Sequence, residues 1–234
     1  MRRGIAMARD SDALTYAGAV TYSYGTGLPT GALRPDDPAV REIEDALRTA
    51  ERSGDDFALA HTQVTLGAAL VHRQTASERD RGRRLLTDVR EVFLRDQHHI
   101  ADLPLVEVYL EREKARHGDH DGAIPRMRAA IESLARSGQL LGWGVVVTGV
   151  LVETLLDRGA GGDLTEAEAA IVRLAALPTD DVFVVRDILL LRLRTLPARA
   201  HGDAAVYTDL RDRYRDMAKT LGFEGHIDFA DALP

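Results

Sequence analysis

Glu51-Arg52-Ser53-Gly54 and Ala135-Arg136-Ser137-Gly138 are two spellings of one phrase, and Lys219-Thr220-Leu221-Gly222 is a looser third. The three glycines stand 84 residues apart in both intervals. Half that interval predicts further breaks near 12, 96 and 180, where the chain reads Asp10-Ser11-Asp12, Arg95-Asp96-Gln97 and Pro178-Thr179-Asp180-Asp181. All three have the composition of turns. A second series runs through Arg34, Ala76, Gly118, Ala160 and Gly202, amid Arg34-Pro35-Asp36-Asp37-Pro38, Thr75-Ala76-Ser77, His117-Gly118-Asp119, Gly159-Ala160-Gly161-Gly162-Asp163 and His201-Gly202-Asp203. Two interleaved series of breaks predict two helices in each repeat of about 42 residues.

The segments between breaks have helical spacing. Val40, Ile43, Leu47 and Ala50 lie at i, i+3, i+7 and i+10, as do Ile124, Met127, Ile131 and Leu134, and Tyr207, Leu210, Tyr214 and Met217. Each set forms one apolar face. Asp37 with Pro38 behind it, Ser77 before Glu78, and Asp163 with Glu166 three residues on are the expected helix starts. The partner helices, about 57–73, 105–117, 140–158 and 182–200, have wider apolar faces and are expected to be the more buried members. The run Val145 to Val147 lacks period-2 alternation and any hairpin signal, so it is read as helix. Pro197 is expected to kink or end its helix.

The fold class expected is therefore all-α, a single domain over 1–234. Its repeats are an incomplete 1–33, then 34–75, 76–117, 118–159, 160–201 and 202–234. Gly118, Ala123 and Ala130 add a turn glycine and two small residues at +5 and +12. In this the chain resembles the tetratricopeptide (TPR) pattern, with a longer period, and the architecture expected is a TPR-like α-solenoid.

Composition narrows the function classes. With 37 acidic and 30 basic residues the net charge is −7, which offers no general attraction to nucleic acid or anionic lipid. There is no cysteine, so disulfides, thiolate nucleophiles and cysteine-based zinc sites are excluded. Only Lys114 and Lys219 are lysines, an arginine bias that fits a GC-rich genome. The uncharged stretch Ser137 to Val152 is short for a bilayer span and contains Gly142, Gly144 and Gly149, and residues 1–10 lack a signal-peptide apolar run. A cytoplasmic protein with no membrane association is expected.

The richest cluster of potential ligands is His117-Gly118-Asp119-His120-Asp121-Gly122. Its donors suit a divalent cation, but it falls on a break of the repeat, where glycine ends one helix and Asp caps the next. A turn and a cap are expected there, and His98 and His99 are read as loop residues. Gly25-Thr26-Gly27 and Gly142-Trp143-Gly144 follow no strand, and there is no Gly-Lys pair and no nucleophile elbow. Asp36-Asp37, Asp55-Asp56 and Asp180-Asp181 sit at breaks, where they cap helices. Arg211, Arg213 and Arg215 are interleaved with Asp209, Asp212 and Asp216, as in a salt-bridged solvated face. No catalytic residue, cofactor or metal site is expected. Tyr109 and Trp143, on inner helices, are the candidates for lining a partner groove.

Three phrases carry a wider resemblance: Glu51-Arg52-Ser53-Gly54-Asp55-Asp56-Phe57-Ala58-Leu59-Ala60, Asp121-Gly122-Ala123-Ile124-Pro125, and Gly222-Phe223-Glu224-Gly225-His226. Through them the whole chain resembles the C-terminal helical region of large actinobacterial, especially mycobacterial, signalling proteins. In these a class III adenylate or guanylate cyclase domain is joined to an AAA-type ATPase and a TPR-like tail. The resemblance implies a non-catalytic regulatory tail whose partners are proteins or neighbouring cyclase and ATPase domains. The alternatives are a small-ligand sensor acting on a cyclase or ATPase, and a truncated gene fragment. No polar capping element is visible before Asp10, so the N-terminal helix, Leu14 to Tyr24, is expected to self-associate.

Overall fold

The computed structural model describes residues 1–96, 101–178 and 183–234, with Asp96 described in its backbone only, and among these it is all-α. Its helices are α1 (Arg2–Ala8), α2 (Ala13–Gly27), α3 (Asp37–Ser53), α4 (Asp56–Val71), α5 (Ala76–Asp96) and α6 (Leu103–Arg116). They continue as α7 (His120–Arg136), a π-turn (Leu140–Gly144), α8 (Val145–Arg158), α9 (Asp163–Ala175), α10 (Val184–His201), α11 (Ala204–Leu221) and α12 (Glu224–Ala232). The chain forms two compact units, Met1–Val106 and Glu107–Pro234. The break expected near 180, the helix start at Val182, and His98 and His99 lie outside the described residues.

In the first unit the helix starts follow local chemistry, displaced by a residue or two from expectation. Asp36, not Asp37, caps α3 by accepting from the Ala39 amide at 2.9 Å, and Pro38 then falls in the first turn. Asp55 caps α4 through the Phe57 and Ala58 amides. At α5 the cap is Thr75 rather than Ser77: its hydroxyl accepts from the Glu78 amide and donates to the Glu78 carboxylate, so that one side chain serves both groups of Glu78. Val20, Tyr24, Ile43, Ala46, Leu66 and Leu70 are the centre of the core. α4 and α5 meet at two glycines, where a Cβ on Gly82 would stand 2.9 Å from the Gly67 carbonyl oxygen.

A short helix, α1, precedes Asp10. α1 packs on α2 and buries Ile5 beside Ala17 and Val20. Glu42 of α3 ties this end together: it accepts from the hydroxyls of Tyr16 at 2.6 Å and Tyr24 at 2.8 Å and from Arg9 at 3.1 Å. Burial raises the Glu42 pKa, but these three donors outweigh it and hold the carboxyl below its ordinary range.

In the second unit Gly118, Gly159, Gly202 and Gly222 stop helices with left-handed backbone, as Gly54 does in the first. Glycine, having no Cβ, adopts that conformation without the strain an L residue would carry. Asp119 caps α7 through the Gly122 amide and Asp203 caps α11 through that of Val206. Asp163 is no cap: it is the first residue of α9, buried, and its carboxylate turns to Arg158. Val145 to Val147 open α8 as helix, after the π-turn has bent the chain at Gly142. α10 is not ended by Pro197 but runs on to His201. A proline this close to a helix end forfeits a single ladder bond, and its buried ring adds apolar contact in return.

The wider apolar faces are the more buried ones. α4 and α8 each bury ten residues, against four in α3 and five in α7. Their packing follows one rule within each unit. α2 packs on α4, and α8 on α10, while α3 and α5 both pack on α4, α7 and α9 on α8, and α9 and α11 on α10. Among the described residues the two flanking helices of each trio do not form a closely packed pair with each other. Among the described residues the one stretch long and apolar enough to cross a membrane is Leu140–Arg158, and 61% of it is buried inside the protein.

Candidate functional site

Tyr109 does not line a groove. It lies on α6 only 1% exposed, with the Arg112 guanidinium 4.9 Å from its ring centre, and burial pushes its hydroxyl pKa far up. The ring is part of the interior, because an inward-facing aromatic in an apolar helix gains most by full burial. Trp143 is half-buried in the π-turn. Deeper in the same unit Arg192 pairs with Glu153 and stacks 4.0 Å over Phe229. Nearby the Tyr214 hydroxyl lies 2.7 Å from His226 Nδ1. These contacts hold helices together.

The cluster at 117–121 is divided among separate partners. His117 Nδ1 sits 2.6 Å from the Glu113 carbonyl and His120 3.0 Å from Asp157. Asp119 caps α7, and Asp121 receives Arg158 at 2.7 Å. Among the described residues no three such side chains gather as a metal site would require. On α11 the interleaved charges pair as expected, Arg213 with Asp209 at 3.2 Å and Arg215 with Asp212 at 3.5 Å.

The gaps between flanking helices differ, and that difference makes a site. Between α3 and α5, Arg81 pairs with Glu44, and Arg73, just beyond α4, reaches both Asp37 and Glu78. Between α7 and α9, Arg128 is bidentate to Glu166, and Arg158, at the end of α8, reaches both Asp121 and Asp163. Each of these gaps is thus tied twice by charge-assisted bonds. Between α9 and α11 no hydrogen bond or ion pair is made among the described residues. His201, at the end of α10, pairs with Glu168 of α9 at 2.8 Å and does not reach α11.

That untied gap is an open groove of about 410 Å³. Ile171 and Val172 of α9 and Val206 and Leu210 of α11 form its walls, over a floor of Pro197 and Ala198 from α10. Arg194, Glu168, His201 and Asp203 rim it. Val172 is 66% exposed and Val206 46%, more than their neighbours in the helices require. Neither residue stood out in the sequence, where an exposed valine is ordinary. The signal available was positional: five residues after the fully buried Ala39, Ala123 and Ala167 stand Glu44, Arg128 and Val172. Two of these are charged residues that tie a gap, and the third is apolar.

No family model, no curated protein and no solved structure matches the chain.

Proposed function

We propose that the chain is a non-catalytic interaction module, a TPR-like α-solenoid of helix pairs repeating about every 42 residues. It works in the cytoplasm through protein–protein or interdomain contacts, as the tail of a cyclase–ATPase signalling protein would. The observation that carries this reading is the open groove between α9 and α11, apolar within and rimmed by Arg194 and Asp203. Such a surface suits a protein segment, whereas a small ligand would call for an enclosed, mostly uncharged pocket. The recurring arginine ties at Arg73 and Arg158, and the helix-ending glycines 84 residues apart, support the repeat.

The test mixes the purified chain with the cyclase and ATPase domains of a protein of that class, reading co-elution and cyclase rate. Co-elution with a changed rate, both weakened by Val172→Asp, is the expected result. Separate elution with an unchanged rate contradicts the proposal.

A further inference from the structure

His61 and Asp102 belong to the first unit and take no part in the groove. We infer that His61 of α4 and Asp102, the residue from which α6 starts, form a pH-operated latch, closed while the imidazole carries two protons and released when it loses one.

The geometry makes the imidazole a two-sided donor. Its Nδ1 stands 3.0 Å from the Phe57 carbonyl oxygen, one helical turn back, and its Nε2 stands 3.3 Å from the Asp102 carboxylate. A carbonyl and an ionised carboxylate are acceptors only, so the imidazolium alone donates to both at once. A neutral ring has one N–H. Its lone pair then faces either the carbonyl or the carboxylate, and one of the two attractions is lost. The ring is held in this orientation by Phe57, whose ring centre lies 4.1 Å from its own, and Phe93 of α5 stands 6.5 Å away.

What the latch holds is the start of α6. The Asp102 carbonyl oxygen accepts from the Leu105 and Val106 amides, each at 3.1 Å. One residue thus begins α6 with its backbone and reaches α4 with its side chain. Leu105 and Val106 are buried, so loosening this turn moves apolar side chains as well as a surface pair.

The surroundings of the ring decide on which side of neutrality the latch opens. The approach to α6 supplies Asp102, α5 supplies the apolar Phe93, and α2 has no charged residue. α3 meets α4 in the apolar core around Leu66 and Leu70. On α4 itself Asp55 is turned to the amides that it caps, and Asp56 falls on a different face of the helix. The Asp102 bond raises the His61 pKa above its ordinary 6.5, outweighing the burial that lowers it. A raised folded pKa gives a contribution that is complete below the unfolded value and is lost as pH rises through the folded one. The latch is therefore closed on the acid side and opens above 6.5.

The experiment follows the full chain by two-dimensional NMR as pH is raised from about 5.5 to about 8.5, spanning the range in which histidine titrates. It reads the His61 ring protons and the hydrogen-exchange protection factors of the Leu105 and Val106 amides. In wild type the ring is expected to titrate above 6.5, and the two protection factors to fall about threefold or more with the same midpoint. His61→Gln keeps a donor for Asp102 but does not titrate, and should remove the step. Asp102→Asn keeps an acceptor but not the charge, and should bring the midpoint of the ring down to 6.5 or below. Both side chains are partly exposed, so the variants are expected to keep the helical circular dichroism of wild type.

A wild-type ring that titrates at or below 6.5 overturns the inference. So do protection factors that ignore the titration of His61. A step that survives in His61→Gln overturns it as well, as it would if His98 or His99 were the titrating group.

Discussion

Arg128 of α7 donates from Nε and Nη2 to both carboxylate oxygens of Glu166 on α9. The α3–α5 gap carries an ion pair with its signs exchanged, Glu44 on the first helix and Arg81 on the second, joined through one nitrogen of the guanidinium. A charge-assisted pair thus has no preferred polarity between two flanking helices. Exchanging the residues, Arg128→Glu with Glu166→Arg, should therefore restore most of the stability that either change alone removes. The pair is partly exposed and screened, so Arg128→Ala should cost about 0.5–1 kcal/mol. Urea titration of the four-member cycle reads the coupling directly.

Arg158 and Asp163 form the more buried tie, with the Asp163 side chain only 4% exposed. The Arg158 guanidinium, with the Ala160 amide, holds the Asp163 carboxyl below its ordinary value of 3.8. A carboxyl with a depressed folded pKa adds stability that is present above its unfolded value and is lost as pH falls through the folded one. Wild type should lose stability on acidification from about pH 5 to pH 3. In Arg158→Ala the buried carboxylate is left without its cation, and its pKa rises. That variant should be clearly destabilised at neutral pH, with a flattened or reversed slope over the same range. Melting temperature against pH, measured for both proteins, checks this.

His61 of α4 lies between two acceptors, the Phe57 carbonyl at 3.0 Å from Nδ1 and the Asp102 carboxylate at 3.3 Å from Nε2. Only the imidazolium donates to both, and the Asp102 bond raises the His61 pKa above its ordinary 6.5. This contribution is complete below pH 6.5 and is lost as pH rises through the folded pKa. Wild type should thus lose more stability than His61→Gln when pH is raised from about 6 to 8. Equal slopes for the two proteins would show that the His61 imidazolium adds no stability.

Gly82 and Gly18 should respond to alanine in opposite directions. A Cβ on Gly82 meets the Gly67 backbone and Leu70 at 2.9 Å, so α4 and α5 would have to separate, and Gly82→Ala should cost about 1–3 kcal/mol. On Gly18, inside α2, a Cβ meets nothing within 4 Å, and Gly18→Ala should stabilise by about 0.5–1 kcal/mol. Chemical unfolding of the two variants beside wild type tests both signs.

Helix ends at glycine were legible because Gly54, Gly118, Gly202 and Gly222 each occupy a left-handed position that the surrounding sequence cannot fill otherwise. Caps were legible to within a residue or two. Asp36 and Asp37 are chemically equal, and only the backbone trajectory decides which amide the carboxylate meets. Asp163 escaped because its partner is a guanidinium beyond a tight turn, and local spacing cannot rank that against a cap. Tyr109 escaped for a related reason: period shows that it faces inward, not whether the interior there is open or filled. The groove was written as an absence, apolar Val172 where Glu44 and Arg128 stand in the other trios. An absent ion pair becomes visible only when helices remote in sequence are laid side by side.

If the chain acts through the α9–α11 groove, as proposed, hydrogen–deuterium exchange will show it. Exchange is followed for the chain alone and after addition of the proposed partner, the cyclase and ATPase domains of a protein of that class. Added protection concentrated in Glu168–Val172 and Asp203–Leu210, absent in Val172→Asp, is the result predicted. Protection confined to another surface, with α9 and α11 exchanging as in the free chain, would contradict it.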